Sequence, residues 1–232
     1  MTTSDAAEQG WTVRLGAVGG IAGSLLAMVG NLLHPATPSR DPQGVARVIA
    51  DSALWLPVHL VIVVGLVLML GGMAAIHRTV SGGLAGALSR LGWAAAIAGI
   101  TIGVILVGLD GIAAKHLALA WASAPPSEAA AALRILTAEE TVNFALAALF
   151  NLVFAGVTFI LYGLAVAASG HYPPWLGWIV VAPGVLSVVV SAVQAYAGES
   201  TGLTFAAGII SPTVITLWVA GMCGLLLRRS RS

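Results

Sequence analysis

Six apolar runs, each about 20 residues long, recur along this chain and constrain its fold more than any other feature. Hydrophobic residues make up 59% of the 232 residues and charged residues only 8%, whereas soluble domains carry roughly 25% charged residues. No stretch remains for a soluble domain, so residues 1–232 are predicted to form one integral membrane domain. The predicted fold is an all-α, polytopic bundle of six transmembrane helices, at about residues 12–34, 54–77, 89–112, 140–168, 176–197 and 205–227.

The basic residues of the chain predict how this bundle lies in the membrane. An even number of spans puts both termini on one face, and cytoplasmic loops are enriched in Lys and Arg. The other face would hold four basic and seven acidic residues. The face that carries the termini would hold six arginines: Arg14, Arg78, Arg90, Arg228, Arg229 and Arg231. We therefore expect a multi-pass protein of the plasma membrane with both termini in the cytoplasm.

Charge and cysteine content exclude several classes of function. The net charge is +1, and no basic patch with interleaved aromatic residues is present, so nucleic acid is not an expected partner. The expected partners are membrane lipids. Cys223 is the single cysteine, which excludes intrachain disulfides and zinc sites built from cysteine. Nothing in the sequence specifies an oligomeric state.

A repeated pattern marks the three spans that start on the predicted cytoplasmic side. Each begins Leu-Gly and carries a glycine eight residues after the leucine, which gives Gly23, Gly99 and Gly184. Small residues allow helix backbones to approach closely inside a membrane. A threefold pseudo-repeat of helix hairpins is the economical interpretation. Chance is the alternative, because the chain contains 28 glycines.

The repeat also predicts that several polar residues lie at one depth. His34 and Asp110 each follow the Leu-Gly leucine of their span by nineteen residues, about 28 Å along a helix and close to the hydrocarbon thickness. The small-residue faces of the two spans should turn both side chains into the bundle. The residues predicted to share this outer level are His34, His59, Asp110, Glu140, Asn143 and Gln194.

Some of these residues also have purely structural interpretations. Glu140 fits a capping box with Thr137 as N-cap, and His34, just before Pro35, fits a helix C-terminus. His59 lies inside an apolar run, where an ionisable group is a functional candidate or a neutral histidine bonded to a neighbouring helix. Lys115 and His116 are predicted to mark the outer surface, and Glu139 to interact with the dipole of its helix. Two short surface helices are predicted, one with Asp41 as N-cap and one after Pro126 with Ser127 as cap. The predicted interfacial anchors are Trp11, Trp55, Trp121, Trp175 and Trp178.

Taken together, the outer-level residues predict an outward-facing pocket of histidines and carboxylates. His34, His59, Asp110 and Glu140 are the candidate catalytic acid–base groups and also the candidate ligands of zinc or another divalent metal. Candidate substrate-binding residues are Asn143, Asn151, Tyr162, Gln194, Arg47 and Arg134, with Phe144, Phe150, Phe154 and Phe159 lining the cavity.

Three functions from different classes fit this pattern. The first is a membrane-embedded enzyme that acts on a lipid or isoprenoid by acid–base or metal-assisted chemistry, although no HExxH, DxxxD or GxSxG motif supports a known reaction. The second is a non-enzymatic helical subunit or a carrier for a small hydrophobic ligand or a proton. The third is a b-type haem protein that uses His34 and His59, which a Soret band in an absorbance spectrum would reveal.

One segment bears a family resemblance. SGHYPPWLGWIVVAPG, residues 169–184, resembles the short loop and helix start of small six-helix bacterial membrane proteins of unknown function. The resemblance covers this hairpin junction and implies the six-helix fold without any activity.

Overall fold

The computed structural model describes residues 3–38, 41–198 and 202–229. Three charged residues used in the predicted orientation fall outside these ranges: Arg40, Glu199 and Arg231. The described chain is helical and contains no strand.

The chain forms helices of two kinds, α-helices and short π-helical segments. In the α-helices each backbone N–H bonds the carbonyl four residues earlier, and in the π-helical segments the carbonyl five residues earlier. In chain order they are α1 (Thr3–Leu33), α2 (Pro42–Asp51), α3 (Trp55–Thr79), α4 (Gly83–Val107), π1 (Gly108–Ala113), α5 (Ala114–Ala122), α6 (Pro126–Phe150), π2 (Asn151–Thr158), α7 (Phe159–Ala168), α8 (Pro174–Ala197) and α9 (Gly202–Arg229).

Six helical stretches of the described chain are long and apolar enough to cross a membrane, which confirms the predicted six-span helical bundle. These stretches are Gly10–Leu33, Trp55–Thr79, Gly83–Ala122, Pro126–Ala168, Pro174–Ala197 and Ala206–Arg229. The third and fourth stretches are longer than predicted, with 40 and 43 residues. At 1.5 Å per residue each extends about 60 Å, roughly twice the thickness of the hydrocarbon core.

The length of the fourth stretch corrects two sequence-based assignments. Thr137 lies in the middle of α6, where its hydroxyl donates to the carbonyl of Leu133, so it is not an N-cap and no capping box forms with Glu140. The segment after Pro126 is the start of α6 and not a separate surface helix, and Ser127 makes no cap because Pro125 holds that position. Asp41, in contrast, caps α2 as expected by accepting a hydrogen bond from the Gly44 N–H.

The glycines of the predicted repeat lie at close helix contacts. In the first two hairpins they face the second helix of their own hairpin: a Cβ on Gly23 would lie 2.5 Å from the Gly65 carbonyl oxygen, and one on Gly99 would lie 2.7 Å from Cβ of Phe154. Gly184 instead faces Gly156, in the preceding span. The third copy therefore uses its glycine to contact the second hairpin.

Beyond the membrane-length part of the bundle, α2, α5 and the first half of α6 pack on one another around a small second core. Its buried apolar residues are Ala46, Ile49, Trp55, Ala114, Ala118 and Leu136. Lys115, the only lysine, joins α5 to α2: its Nζ donates to the carbonyl oxygens of Ile49, Ala50 and Ser52 at 2.8, 2.8 and 2.9 Å. Lys115 therefore caps the C-terminus of α2 rather than only marking the surface.

Candidate functional site

His34, His59 and Asp110 come together at the end of the bundle where the small second core begins. The two histidine Nε2 atoms lie 3.2 Å apart, and Oδ2 of Asp110 lies 3.0 Å from Nε2 of His59 and 3.9 Å from Nε2 of His34. In the described part of the chain these three residues are the one group of His, Cys, Asp or Glu whose ligand atoms could converge on a metal ion.

Each residue reaches the site from a different span. His34 follows directly after α1 and begins the turn into Pro35, His59 lies in the second turn of α3, and Asp110 lies in π1. A π-helical segment shifts the residues that follow it around the helix axis, and such segments recur at functional sites. The local switch from α- to π-helix in the third span thus helps to set the direction of the Asp110 carboxylate.

Hydrogen bonds to the backbone determine which imidazole nitrogens carry protons. Nδ1 of His34 lies 3.0 Å from the Pro35 carbonyl oxygen, and Nδ1 of His59 contacts the Trp55 carbonyl oxygen. A carbonyl oxygen only accepts, so each Nδ1 must be the donor. In a neutral His34 or His59, Nε2 then carries a lone pair that can bind a metal ion. A protonated His59 would instead donate from Nε2 to Oδ2 of Asp110, 3.0 Å away.

The surroundings of His34 favour its neutral form. Burial, together with the neighbouring His59, holds the pKa of the His34 imidazole below its usual value of 6.5. His34 is therefore uncharged at neutral pH, with its Nε2 lone pair available as a ligand. The side chains of His34 and Asp110 remain 29% and 27% exposed, so a small molecule can approach the site.

Trp55 forms one wall of the site, which corrects its assignment as an interfacial anchor. It is 1% exposed, its ring centre lies 5.0 Å from that of His34 and 4.9 Å from that of His59, and its indole N–H donates to the Asp110 carbonyl oxygen at 2.9 Å. Trp55 therefore contacts all three residues. Trp11, Trp175 and Trp178 are exposed, as interfacial anchors would be.

Gly111 lets π1 approach His59. A Cβ at this position would lie 2.5 Å from Cβ and 2.7 Å from Cγ of His59. Gly108, three residues earlier, has open space at the same position.

We expect Gly111→Ala to displace the His59 ring and to weaken binding of divalent metal to the site by roughly 10- to 100-fold, as changes next to metal ligands commonly do. Gly108→Ala, on the same segment, is the matched control and should bind as the unmodified protein does. Zinc titration of the detergent-purified protein measures both. Equal affinity in the two variants would contradict a site held by close packing of π1 on α3.

Helix α6 brings further polar groups close to Asp110. The charge of Asp110 acts on both Glu139 and Glu140. Glu140 lines a cavity of about 130 Å³ between α2 and α6, together with Asp41, Pro42, Val45, Leu136 and Thr137. The carboxylate oxygens of Glu139 and the amide oxygen of Asn143 are buried without a hydrogen-bond partner. Glu139 is thus a buried group within a helix and not a residue at a helix start.

The other predicted site residues lie elsewhere. Gln194 is buried in α8, whose main neighbours are α7, α9 and π2, and Tyr162 is buried where its hydroxyl donates to the Met73 carbonyl oxygen. Asn151 is partly buried at the start of π2, while Arg47 and Arg134 are exposed. The expected phenylalanine-lined cavity is replaced by packing: Phe150 and Phe154 stack at 5.1 Å, and Phe159 meets Phe154 edge-on at 5.4 Å.

Sequence reasoning missed Trp55, Gly111 and Glu139. Trp55 precedes His59 by one helical turn, and that i, i+4 spacing was the available signal for a shared face. For Glu139, the presumed helix start at Thr137 concealed its position within a continuous helix. Comparison of the chain with protein-family models, with curated proteins and with solved structures finds no match in any of the three.

Proposed function

We propose that this chain is an integral membrane enzyme that binds a zinc ion at His34, His59 and Asp110 and acts on a lipid or isoprenoid at the outer membrane boundary. The observation that carries the proposal is the convergence of Nε2 of His34, Nε2 of His59 and Oδ2 of Asp110, which all lie within 3.9 Å of one another. A metal ion can bind all three atoms at once, whereas a proton on Nε2 of His59 joins that atom to Asp110 alone at 3.0 Å.

The spacing of these atoms suits a tetrahedral ion. Zinc bonds to nitrogen and oxygen of about 2.0–2.1 Å at tetrahedral angles place ligand atoms about 3.3–3.4 Å apart. The three separations, 3.0, 3.2 and 3.9 Å, bracket that value. The Nδ1–carbonyl bonds of both histidines are the outer contacts that orient zinc-bound imidazoles in proteins.

Three protein ligands also favour a catalytic over a structural role. Structural zinc sites use four protein ligands, whereas catalytic sites use three and keep one position for water or substrate. A bound zinc ion would supply Lewis acidity and an acidified water. Glu140 lies outside the ligand set and lines the cavity between α2 and α6, where it could accept a proton from a bound group.

The geometry favours a metal ion over haem. The two axial ligands of a haem lie on opposite faces of the ring with iron between them, so their nitrogens are about 4 Å apart at bond lengths of about 2 Å. The Nε2 atoms of His34 and His59 are 3.2 Å apart, and Asp110 lies beside them. No space for a macrocycle separates the two imidazoles.

The position of the site supports a membrane-derived substrate. His34 directly follows the first apolar span, His59 lies in the second turn of the second, and Asp110 lies in the later part of the third, which continues to Ala122. All three lie towards the end of the bundle opposite that at which α1 begins and α9 ends. With the termini in the cytoplasm, as the arginine distribution favours, this end faces outward. The cavity between α2 and α6 combines the Asp41 and Glu140 carboxylates with apolar side chains, which suits the boundary between a lipid headgroup and its chain.

Turnover in vesicles tests the enzymatic proposal. Zinc-loaded protein is reconstituted in phosphatidylethanolamine–phosphatidylglycerol vesicles that contain farnesyl diphosphate, and released fatty acid, headgroup or phosphate is measured by mass spectrometry. We expect product with the unmodified chain, and loss of at least about 100-fold in rate with Asp110→Asn, which removes the anionic ligand. Protein that binds zinc but gives no more product than Asp110→Asn would contradict the enzyme and favour a subunit or carrier.

A further inference from the structure

A second group of buried oxygen atoms lies on α6, apart from the three residues of the zinc site. Both carboxylate oxygens of Glu139 and the amide oxygen of Asn143 are buried without a hydrogen-bond partner. The side chains are four residues apart on an α-helix, so they project from the same face. Asn143 as a whole is only 8% exposed.

Leaving these oxygens without a partner would be costly. A buried carboxylate without a donor or counter-charge loses several kcal/mol of solvation, and a buried amide oxygen loses roughly 1–3 kcal/mol. Proteins place a partner, an ordered water or an ion at such atoms. Three unpaired oxygen atoms on one helix face therefore require a bound cation or a shared proton.

The described protein groups do not supply that positive charge. Lys115 is bound to the carbonyl oxygens at the end of α2. No Lys or Arg forms an ion pair with Glu139 within residues 3–38, 41–198 and 202–229. The ionisable groups that influence Glu139 are Glu140 and Asp110, which are themselves acidic.

We propose that Glu139 and Asn143 form a second cation site that takes a hard divalent ion, Mg²⁺ or Mn²⁺. Carboxylate and amide oxygens without nitrogen or sulfur are the ligands that these ions prefer. The oxygens are buried, which favours a compact ion over an organic ammonium group. The site uses other residues than the zinc centre and does not depend on it.

Manganese binding tests this site in the full-length chain. Purified protein in detergent is stripped with a chelator, loaded with one equivalent of Zn²⁺ and titrated with Mn²⁺, whose free fraction is read by electron paramagnetic resonance. Zinc binds nitrogen-containing sites more tightly than manganese, so it occupies the His34–His59–Asp110 site. We expect one Mn²⁺ per chain in the unmodified protein.

Two variants locate the ion. Glu139→Gln and Asn143→Ala should each weaken Mn²⁺ binding by about tenfold or more and leave zinc content unchanged. Gln has nearly the volume of Glu, and its amide N–H can donate to the Asn143 oxygen, so Glu139→Gln should fold. Asn143→Ala tests the same site through its other ligand. Glu128→Gln, in the exposed first turn of the same helix, is the matched control and should bind Mn²⁺ normally.

The outcomes separate this site from the zinc centre. Loss of zinc with retention of Mn²⁺ in His59→Ala would support the second site even if the zinc-dependent activity fails. Failure of the unmodified, zinc-loaded chain to bind Mn²⁺, or equal binding in Glu139→Gln, would overturn the proposal. In that case a proton shared between Glu139 and Asn143 satisfies the buried oxygens.

Discussion

Replacing His59 with alanine is expected to reduce zinc affinity by at least about 100-fold. His59 supplies the central ligand: its Nε2 lies 3.2 Å from that of His34 and 3.0 Å from the Asp110 carboxylate. Removing it leaves two ligand atoms 3.9 Å apart, too few to hold zinc against water. Changes to residues that merely support ligands already cost 10- to 100-fold. Competition with a chromophoric chelator measures the affinity.

His116→Ala is the matched control for this experiment. His116 lies at the same end of the bundle, on α5, but is exposed and is not part of the ligand group. Its removal should leave zinc affinity unchanged. Equal affinity of His59→Ala and the unmodified chain would show that zinc binds elsewhere, and the site proposed at His34, His59 and Asp110 would then be wrong.

Replacing Lys115 with methionine is expected to lower the free energy of unfolding by about 2–4 kcal/mol. The ammonium group makes three charge-assisted hydrogen bonds to the end of α2, and the loss of such bonds leaves carbonyl oxygens without a strong donor. Helix α2 has no basic residue of its own in its last turn, so Lys115 is the cation that offsets the helix dipole there. Methionine keeps an unbranched apolar stem that is one atom shorter, and it removes the ammonium group with its charge and its hydrogen-bond donors.

Thermal or denaturant unfolding in detergent, followed by circular dichroism and by Trp fluorescence, measures this effect. Trp55 belongs to the small core that Lys115 holds together, so its fluorescence should change at lower denaturant concentration in the variant. Arg134→Met removes an exposed charge from the neighbouring α6 and should change stability by less than about 0.5 kcal/mol. Equal unfolding midpoints for Lys115→Met and the unmodified chain would contradict a structural role for the ammonium group.

The membrane-spanning part of the fold was predictable from the sequence because it depends on composition and length. An apolar run of about 20 residues has few alternatives to a spanning helix, since a membrane offers no hydrogen-bond partners to an unpaired backbone. The same reasoning placed His34, His59 and Asp110 at one depth, because rise per residue converts sequence separation into height. The structure brings these three side chains together, as residues at a common height would be.

The parts of the site that periodicity did not predict depend on local breaks in helix geometry. Asp110 lies in a π-helical segment, and a constant 100° per residue does not describe its direction. Glu139 was assigned to a helix start because Thr-x-x-Glu fits a capping box, but the helix runs on from Pro126 and buries its carboxylate. Gln194 shares the predicted depth, yet α8 lies on another side of the bundle.

The sequence by itself determined the number of spans and the short helix that begins after Asp41, because hydropathy and N-capping act over short stretches of chain. Only the tertiary structure decided which of those residues meet. Trp55 became a wall of the site, Lys115 a cap for α2 and Gly111 a point of contact with His59. These roles arise from side chains of different helices, and the packing of helices on one another, not their individual sequences, brings such side chains within bonding distance.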